Sequence, residues 1–266
     1  MSATATPPAL RLYRSARVTA HVIEGLLTTA LVFPWLGVPR KQALIRGWSN
    51  RLLRMLKIEL RVHGLPDGGL PGNLLVVANH ISWLDIFVLN TLQPSRFIAK
   101  SEMRRWPVVG RLIVGVGTLF IERDRRRHTH HINRHAADVL ARGDVIAIFP
   151  EGTTSDGTRV LPFHSSLLQP IVDAGGHVQP VAIRYRKVTG EHNEAPAYVG
   201  ETSLMESFWR VTGEREQIVE LHVAAALPAQ GRHRRDLTRA AESAIRMVLG
   251  GAAVGSAPET PGDHRA

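Results

Sequence analysis

Cysteine is absent from the 266 residues, which excludes disulfides, a thiolate metal site and a cysteine nucleophile, and suits a reducing compartment. The Gly-x-Ser-x-Gly elbow of serine hydrolases does not occur, and no Gly-Lys-Ser/Thr follows a glycine loop. Gly115-Val116-Gly117 is a fragment of a dinucleotide fingerprint without its third glycine. Aromatic residues are only 6% and do not interleave with basic ones, as a single-strand nucleic-acid platform requires. A long hydrophobic run is also missing. The longest apolar stretch, Gly25 to Val38, falls short of the about 20 residues a bilayer span needs, and extension upstream meets Glu24, His21 and Arg17.

What is present is a chain that is 44% hydrophobic with a formal net charge of +10. The first supports a full core, and the second implies attraction to a polyanion, either anionic lipid, nucleic acid or another phosphate-bearing partner. The N-terminus favours lipid. Gly25 to Val38 is expected to be a retained anchor, without the cleavage site of a signal peptide. After Pro39, the stripe Leu44, Ile45, Trp48, Leu52, Met55 and Leu56 with intervening arginines and lysines predicts a basic amphipathic helix. Its neighbour favours a place at the membrane surface over packing on the domain. From Ile58 onward, strands are expected near 59–63, 74–78, 96–99, 117–121, 145–149 and 178–184. Helices are expected near 84–92, 128–142, 165–174 and 234–249. The pattern predicts an α/β fold, a largely parallel or mixed sheet flanked by helices. An N-terminal two-helix membrane-associated module (1–57) precedes the α/β domain (58–249), and a disordered tail (250–266) follows it.

Two segments carry chemistry. Asn79-His80-Ile81-Ser82-Trp83-Leu84-Asp85 follows the apolar run Leu74 to Ala78, so His80 leaves a buried strand where α/β proteins concentrate their sites. Five residues along a helix is an offset of about 140°, so His80 and Asp85 meet only if His80 is in the turn and Asp85 in the first helical turn. A carboxylate bound to one imidazole nitrogen raises the basicity of the other, which suits deprotonation of an alcohol. The same residues also read as a capping box, Ser82-x-x-Asp85. The second segment, Phe149-Pro150-Glu151-Gly152-Thr153-Thr154-Ser155-Asp156-Gly157, is a polar loop at the end of another buried strand. Gly152 and Gly157 permit close backbone approach to a ligand, and Glu151 is suited to hold the loop or contact the acceptor. The histidine group His128, His130, His131 and His135 lacks a completing carboxylate and reads as a solvated helix face, so no metal is expected.

Four blocks in order resemble the 1-acyl-sn-glycerol-3-phosphate acyltransferase family, within the glycerolipid acyltransferases: Asn79-His80 with Asp85; Gly117 through Phe120-Ile121-Glu122-Arg123; Phe149 to Thr153; and Val178-Gln179-Pro180-Val181-Ala182-Ile183. Lys100-Ser101-Glu102 matches the segment between the first two blocks. The resemblance implies transfer of a fatty acyl group from acyl-CoA or acyl-carrier-protein to the sn-2 hydroxyl of lysophosphatidic acid, giving phosphatidic acid. It implies His80 as general base and Asp85 as its orienting partner, with no cofactor, metal or covalent acyl-enzyme. Acceptor binding carries over to Lys100, Arg123, Glu151, Gly152, Thr153 and Thr154. The expected place is the cytoplasmic face of the inner (cytoplasmic) membrane, with membrane lipids, the lysolipid and the acyl carrier as partners and no nucleic acid.

One departure matters. Phosphate-using members commonly carry arginine directly after Glu-Gly-Thr, where this chain has Thr154. A lost charge-assisted hydrogen bond is worth about 1.5–3 kcal/mol, so either Arg159 compensates or the acceptor is not a simple phosphate. Thr153 to Gly157 also resembles the bacterial enzymes that acylate lyso-ornithine lipid, where Asp156 is either a headgroup contact or a turn residue. Two other classes stand as alternatives, a thioesterase using the same histidine with water and a basic nucleic-acid-binding protein.

Overall fold

The computed structural model describes residues 6–106, 109–121 and 126–251. Its elements run α1 (Pro8–Leu27), α2 (Val38–Met55), β1 (Ile58–His63), β2 (Leu74–Ala78), α3 (Asp85–Leu92), β3 (Arg96–Lys100), α4 (Val109–Gly115) and β4 (Leu119–Ile121). There follow α5 (Arg126–Ala141), β5 (Val145–Ile148), α6 (Gln169–Ala174), β6 (His177–Lys187), α7 (Leu204–Gly213), β7 (Gln217–Val223), β8 (Leu227–Pro228) and α8 (Arg234–Gly251).

β2 is apolar at every position because both faces of the sheet are covered, and all five of its residues are buried. Its side chains divide by the period of two: Leu74, Val76 and Ala78 join one core with α2 and α3, while Leu75 and Val77 join a second core with α5, α6 and α8. Each Leu, Val or Ile so buried contributes about 1.5–3 kcal/mol, which makes the two cores the main source of stability. The strand order is β1-β7-β6-β2-β5-β3-β4, with β8 on β6. From β6 to β4 the neighbours are parallel, and the one long antiparallel ladder joins β6 to β7. The expected α/β sheet between helical layers is therefore observed, with β4 starting at Leu119 because Gly117 turns at φ +80°. The helix expected over 165–174 is split into a 3-10 turn, Ser165–Leu168, and α6. α4, α7, β7 and β8 were not anticipated. Of the tail, residues 252–266 lie outside the described residues.

The N-terminal reading needs correction twice. Helix begins at Pro8, well before Gly25, and continues through a π-helical turn (Thr28–Val32) and a 3-10 turn (Phe33–Trp35). Pro8–Trp35 is long and apolar enough to cross a membrane by length and composition. Its root, however, is tied to the domain. Arg14 is buried and donates to the carbonyls of Thr212 (3.1 Å), Glu214 (2.5 Å) and Arg215 (3.2 Å), while Arg11 donates to the Trp209 carbonyl and stacks over its ring at 3.9 Å. Thr212 lies in the last turn of α7 and Glu214 and Arg215 directly follow the helix, where free carbonyls gather and a guanidinium is a natural cap. Nor does α2 lie free at a membrane surface. Leu52, Leu53 and Leu56 enter the core beside Leu84 and Val88, because they fall on the side of α2 that meets α3. What projects is the tip, where Leu31 is 66% and Trp35 86% exposed.

Candidate active site

Because β6, β2, β5, β3 and β4 run in one direction, the loops that follow them leave one edge of the sheet. His80 follows β2 and Glu151 follows β5. Lys100 closes β3 opposite Ile121, the last residue of β4, and the segment carrying Arg123 lies outside the described residues.

The turn after β2 is built by Asn79, whose side chain exchanges two hydrogen bonds with the backbone of Ile183, Nδ2 to the carbonyl at 3.0 Å and the amide to Oδ1 at 2.8 Å. An amide side chain thus continues the β2–β6 ladder past its last residue and frees the backbone to turn. Asp85 then opens α3 and is fully buried. Its Oδ2 accepts from His80 Nδ1 (2.8 Å), Ile81 N–H (2.7 Å) and Ser82 N–H (2.8 Å), and its Oδ1 accepts from the Tyr185 hydroxyl (2.8 Å). Four donors hold the charge of a carboxylate that burial would otherwise penalise. The catalytic and capping readings of this segment therefore coincide in part. Asp85 makes the return half of the box, to Ser82 N–H, whereas the Ser82 hydroxyl accepts from Leu84 N–H at 3.3 Å.

Facing a carboxylate, Nδ1 of His80 carries the hydrogen, which leaves the lone pair on Nε2. Nε2 has no partner among the described residues, and the side chain is 21% exposed. The ring is stacked on Phe149, centroids 3.9 Å apart and planes 7° apart. One nitrogen fixed, one face covered and one nitrogen open describe an oriented base beside a solvent-accessible site.

The second loop wraps the first. Ser155 donates to the His80 carbonyl from both its amide (2.8 Å) and its hydroxyl (3.2 Å), and Thr154 donates its hydroxyl to the Tyr198 carbonyl. The Tyr198 amide donates to the Ile81 carbonyl at 2.9 Å. Gly157, at φ +83°, lies so near Ile81 that an added Cβ would stand 2.9 Å from its Cδ1. Gly152 also has positive φ, at +71°, and Thr153 and Arg159 are exposed. Asp156 proves to be a turn residue: Oδ1 accepts from the amide and the hydroxyl of Thr158, which hold its carboxyl below the usual range. Glu151 is 4% exposed, and neither oxygen has a hydrogen-bond partner among the described residues. Burial pushes its pKa up to about 8, against a partial counter-pull from backbone groups of His80 and Leu161.

Sequence reasoning missed Tyr185 and the role of the Phe149 ring. The signal for Tyr185 was its period: Val181, Ile183 and Tyr185 alternate onto the face of β6 that meets α3. Burial and the neighbouring Asp85 keep its phenol well above its ordinary pKa, so it remains a donor. His135 is exposed, and among the described residues no group of three or more His, Cys, Asp or Glu is placed to hold a metal.

Known proteins match this arrangement. The Acyltransferase family matches residues 59–184. The lyso-ornithine lipid O-acyltransferase of Pseudomonas aeruginosa is 39% identical over 249 residues, 91% of this chain and 94% of that protein. The 1-acyl-sn-glycerol-3-phosphate acyltransferase of Neisseria gonorrhoeae is 39% identical over 211 residues, 79% of this chain and 82% of that one. The fold is shared with the crystal structure of the 1-acyl-sn-glycerophosphate (LPA) acyltransferase from Thermotoga maritima, at a TM-score of 0.71 and 23% identity over 94% of this chain and 97% of that one. With relatives of this identity along nearly its whole length, the chain belongs to the 1-acyl-sn-glycerol-3-phosphate and lysolipid acyltransferase family and is an acyltransferase of lipid biosynthesis.

Proposed function

We propose that the chain acylates the sn-2 hydroxyl of lysophosphatidic acid, with acyl-CoA or acyl-carrier-protein as donor, at the cytoplasmic face of the cytoplasmic membrane. The observation that carries the reading is the His80–Asp85 pair with its open Nε2. His80 Nε2 takes the proton of the acceptor hydroxyl as that oxygen attacks the thioester carbonyl carbon. The tetrahedral intermediate collapses with cleavage of the C–S bond, and the departing thiolate recovers the proton from the imidazolium. Asp85 stabilises that imidazolium, and the Phe149 ring keeps its plane fixed. No cofactor is needed for these steps. Lys100 closes β3 at the edge of the sheet where the His80 and Glu151 loops leave, and a cation there suits a phosphate. The exposed tip of the N-terminal hairpin suits shallow insertion into the bilayer, since the root of α1 is capped onto α7.

A second acceptor is favoured by two observations. Thr154 stands where phosphate-using members commonly carry arginine, and its hydroxyl is committed to the Tyr198 carbonyl, so it offers no charge to a phosphate. The lyso-ornithine lipid enzyme of Pseudomonas aeruginosa also matches along more of this chain than the Neisseria gonorrhoeae enzyme does. The test is acyl transfer by purified protein from a labelled thioester to lysophosphatidic acid and lyso-ornithine lipid in parallel, with His80→Ala as control. Phosphatidic acid as the dominant, His80-dependent product is expected. Acylated ornithine lipid would move the acceptor, free fatty acid alone would mean hydrolysis, and full activity of His80→Ala would overturn the base assignment.

A further inference from the structure

The loop that covers His80 contains a carboxyl group with nothing to do in the steps above. We propose that Glu151 works as an uncharged carboxylic acid that positions the His80 turn from beneath, and that its ionisation disables acyl transfer. The inference rests on the base assignment to His80 and adds a protonation state to a second group.

Geometry supplies the argument. Glu151 is 4% exposed, and both its oxygens lack partners among the described residues, whereas Asp85 spends both its oxygens on four donors. The negative charge of this region therefore resides on Asp85, and Asp85 opposes a second one on Glu151. The charged groups around Glu151 are few. From the β2–α3 side there is Asp85, itself tied to His80 and Tyr185. From α8 there is Arg246, which is committed to Glu242 at 2.7 Å and to the Val160 carbonyl at 3.2 Å. Glu242 in turn accepts from the Phe163 amide at 3.0 Å, so α8 clamps residues 160–163, and Arg246 acts on Glu151 only as a weak through-space attraction. An ionised Glu151 would thus be a buried charge with no paired cation among the described residues and only a partial counter-pull from the backbone groups of His80 and Leu161, an arrangement that proteins avoid by neutralising the group or by moving it. Moving it disturbs the site directly, because Glu151 follows Phe149 by two residues and the Phe149 ring lies on the imidazole of His80. The raised pKa of Glu151 agrees with this placement.

A neutral acid and an amide have nearly the same shape, so the substitution Glu151→Gln preserves the working form and Glu151→Ala deletes it. The experiment is the pH dependence of kcat and KM for both variants and the wild type, with lysophosphatidic acid and an acyl thioester, alongside His80→Ala. In Glu151→Gln, kcat is expected within about threefold of wild type with an unchanged acceptor KM, and the alkaline fall near pH 8 is expected to disappear. Glu151→Ala is expected to lose at least about tenfold in kcat, since the carboxyl group that faces the backbone of His80 and Leu161 is gone. A glutamine variant as impaired as alanine, one that raises only the acceptor KM, or one that keeps the wild-type alkaline fall would overturn the proposal. Thermal unfolding midpoints from pH 5 to 9 keep the test independent of turnover. An acid whose pKa is raised on folding contributes stability that is full below its ordinary value of 4.5 and is lost as pH rises through about 8. The wild type is expected to lose stability across that window relative to Glu151→Gln, and parallel curves would refute the idea. Retained activity in His80→Ala would sink the underlying base assignment instead, which separates the two failures.

Discussion

Tyr185→Phe tests the architecture of the dyad without touching either of its members. The tyrosine is fully buried and its hydroxyl donates to Asp85 Oδ1 at 2.8 Å. Removing one oxygen atom leaves the ring, its packing and β6 intact, so no cavity of consequence opens. What is lost is a hydrogen bond to a charged acceptor, worth about 1.5–3 kcal/mol, and the orphaned Oδ1 has no route to water. Against a total stability of about 5–15 kcal/mol for a domain, that is a clear shift of the urea midpoint. Turnover is expected to fall less steeply, by about tenfold or less, because the three donors on Oδ2 still fix the carboxylate edge that faces His80. Asp85→Asn, which removes the charge itself, is the severe comparison. Since the phenol stays protonated well above its ordinary pKa, the difference between wild type and variant is expected to be flat from pH 6 to 9. The assay is equilibrium urea unfolding beside kcat and KM on the same preparations. A stability change under about 0.5 kcal/mol with unaltered kcat would show that Asp85 does not depend on this donor.

Two further substitutions probe the loop and the tip. Gly157→Ala forces an L side chain into the left-handed region and against Ile81, so a loss of at least about 1–2 kcal/mol in unfolding free energy is expected, together with reduced kcat as the clamp on the His80 turn shifts. Wild-type behaviour would mean that the two loops move independently. Replacing Leu31 and Trp35 with serine removes exposed apolar surface, and co-sedimentation with vesicles of mixed zwitterionic and anionic lipid is expected to weaken by about tenfold or more for each. Turnover on detergent-dispersed substrate is expected to be unchanged, and unchanged vesicle binding would exclude the tip as the inserting element.

The site was readable in the sequence where chemistry and strand ends coincide. His80 and Asp85 meet as their spacing demands, and the loop from Glu151 to Gly157 folds over them. The parallel strands were visible because burial on both faces makes them continuous apolar runs. Tyr185 was not visible as a site residue, since its partner lies 100 positions away and a tyrosine within a strand looks like any other half-polar aromatic. Glu151 read as either holding the loop or contacting the acceptor, because nothing local says which way a loop carboxylate turns. α1 was missed before Gly25 because Arg11, Arg14 and Arg17 break the apolar pattern, and two of them find acceptors on α7 and the residues directly after it, which the sequence does not reveal. α2 was assigned to the membrane for a similar reason: its stripe of leucines is the same whether lipid or α3 covers it.

The bonds from Arg14 to the end of α7 span 198 to 201 positions along the chain. At ribosomal speeds of about 5–20 residues per second, α1 is made some tens of seconds before the carbonyls it caps. During that interval α1 can rest on α2 through His21 and Trp48, but its root is uncapped and its apolar tip is exposed. The lipid surface is the natural holding place for the tip, so the enzyme is expected to reach the bilayer as a nascent chain and to complete its fold there, with the root of the helix made first being the last part to dock.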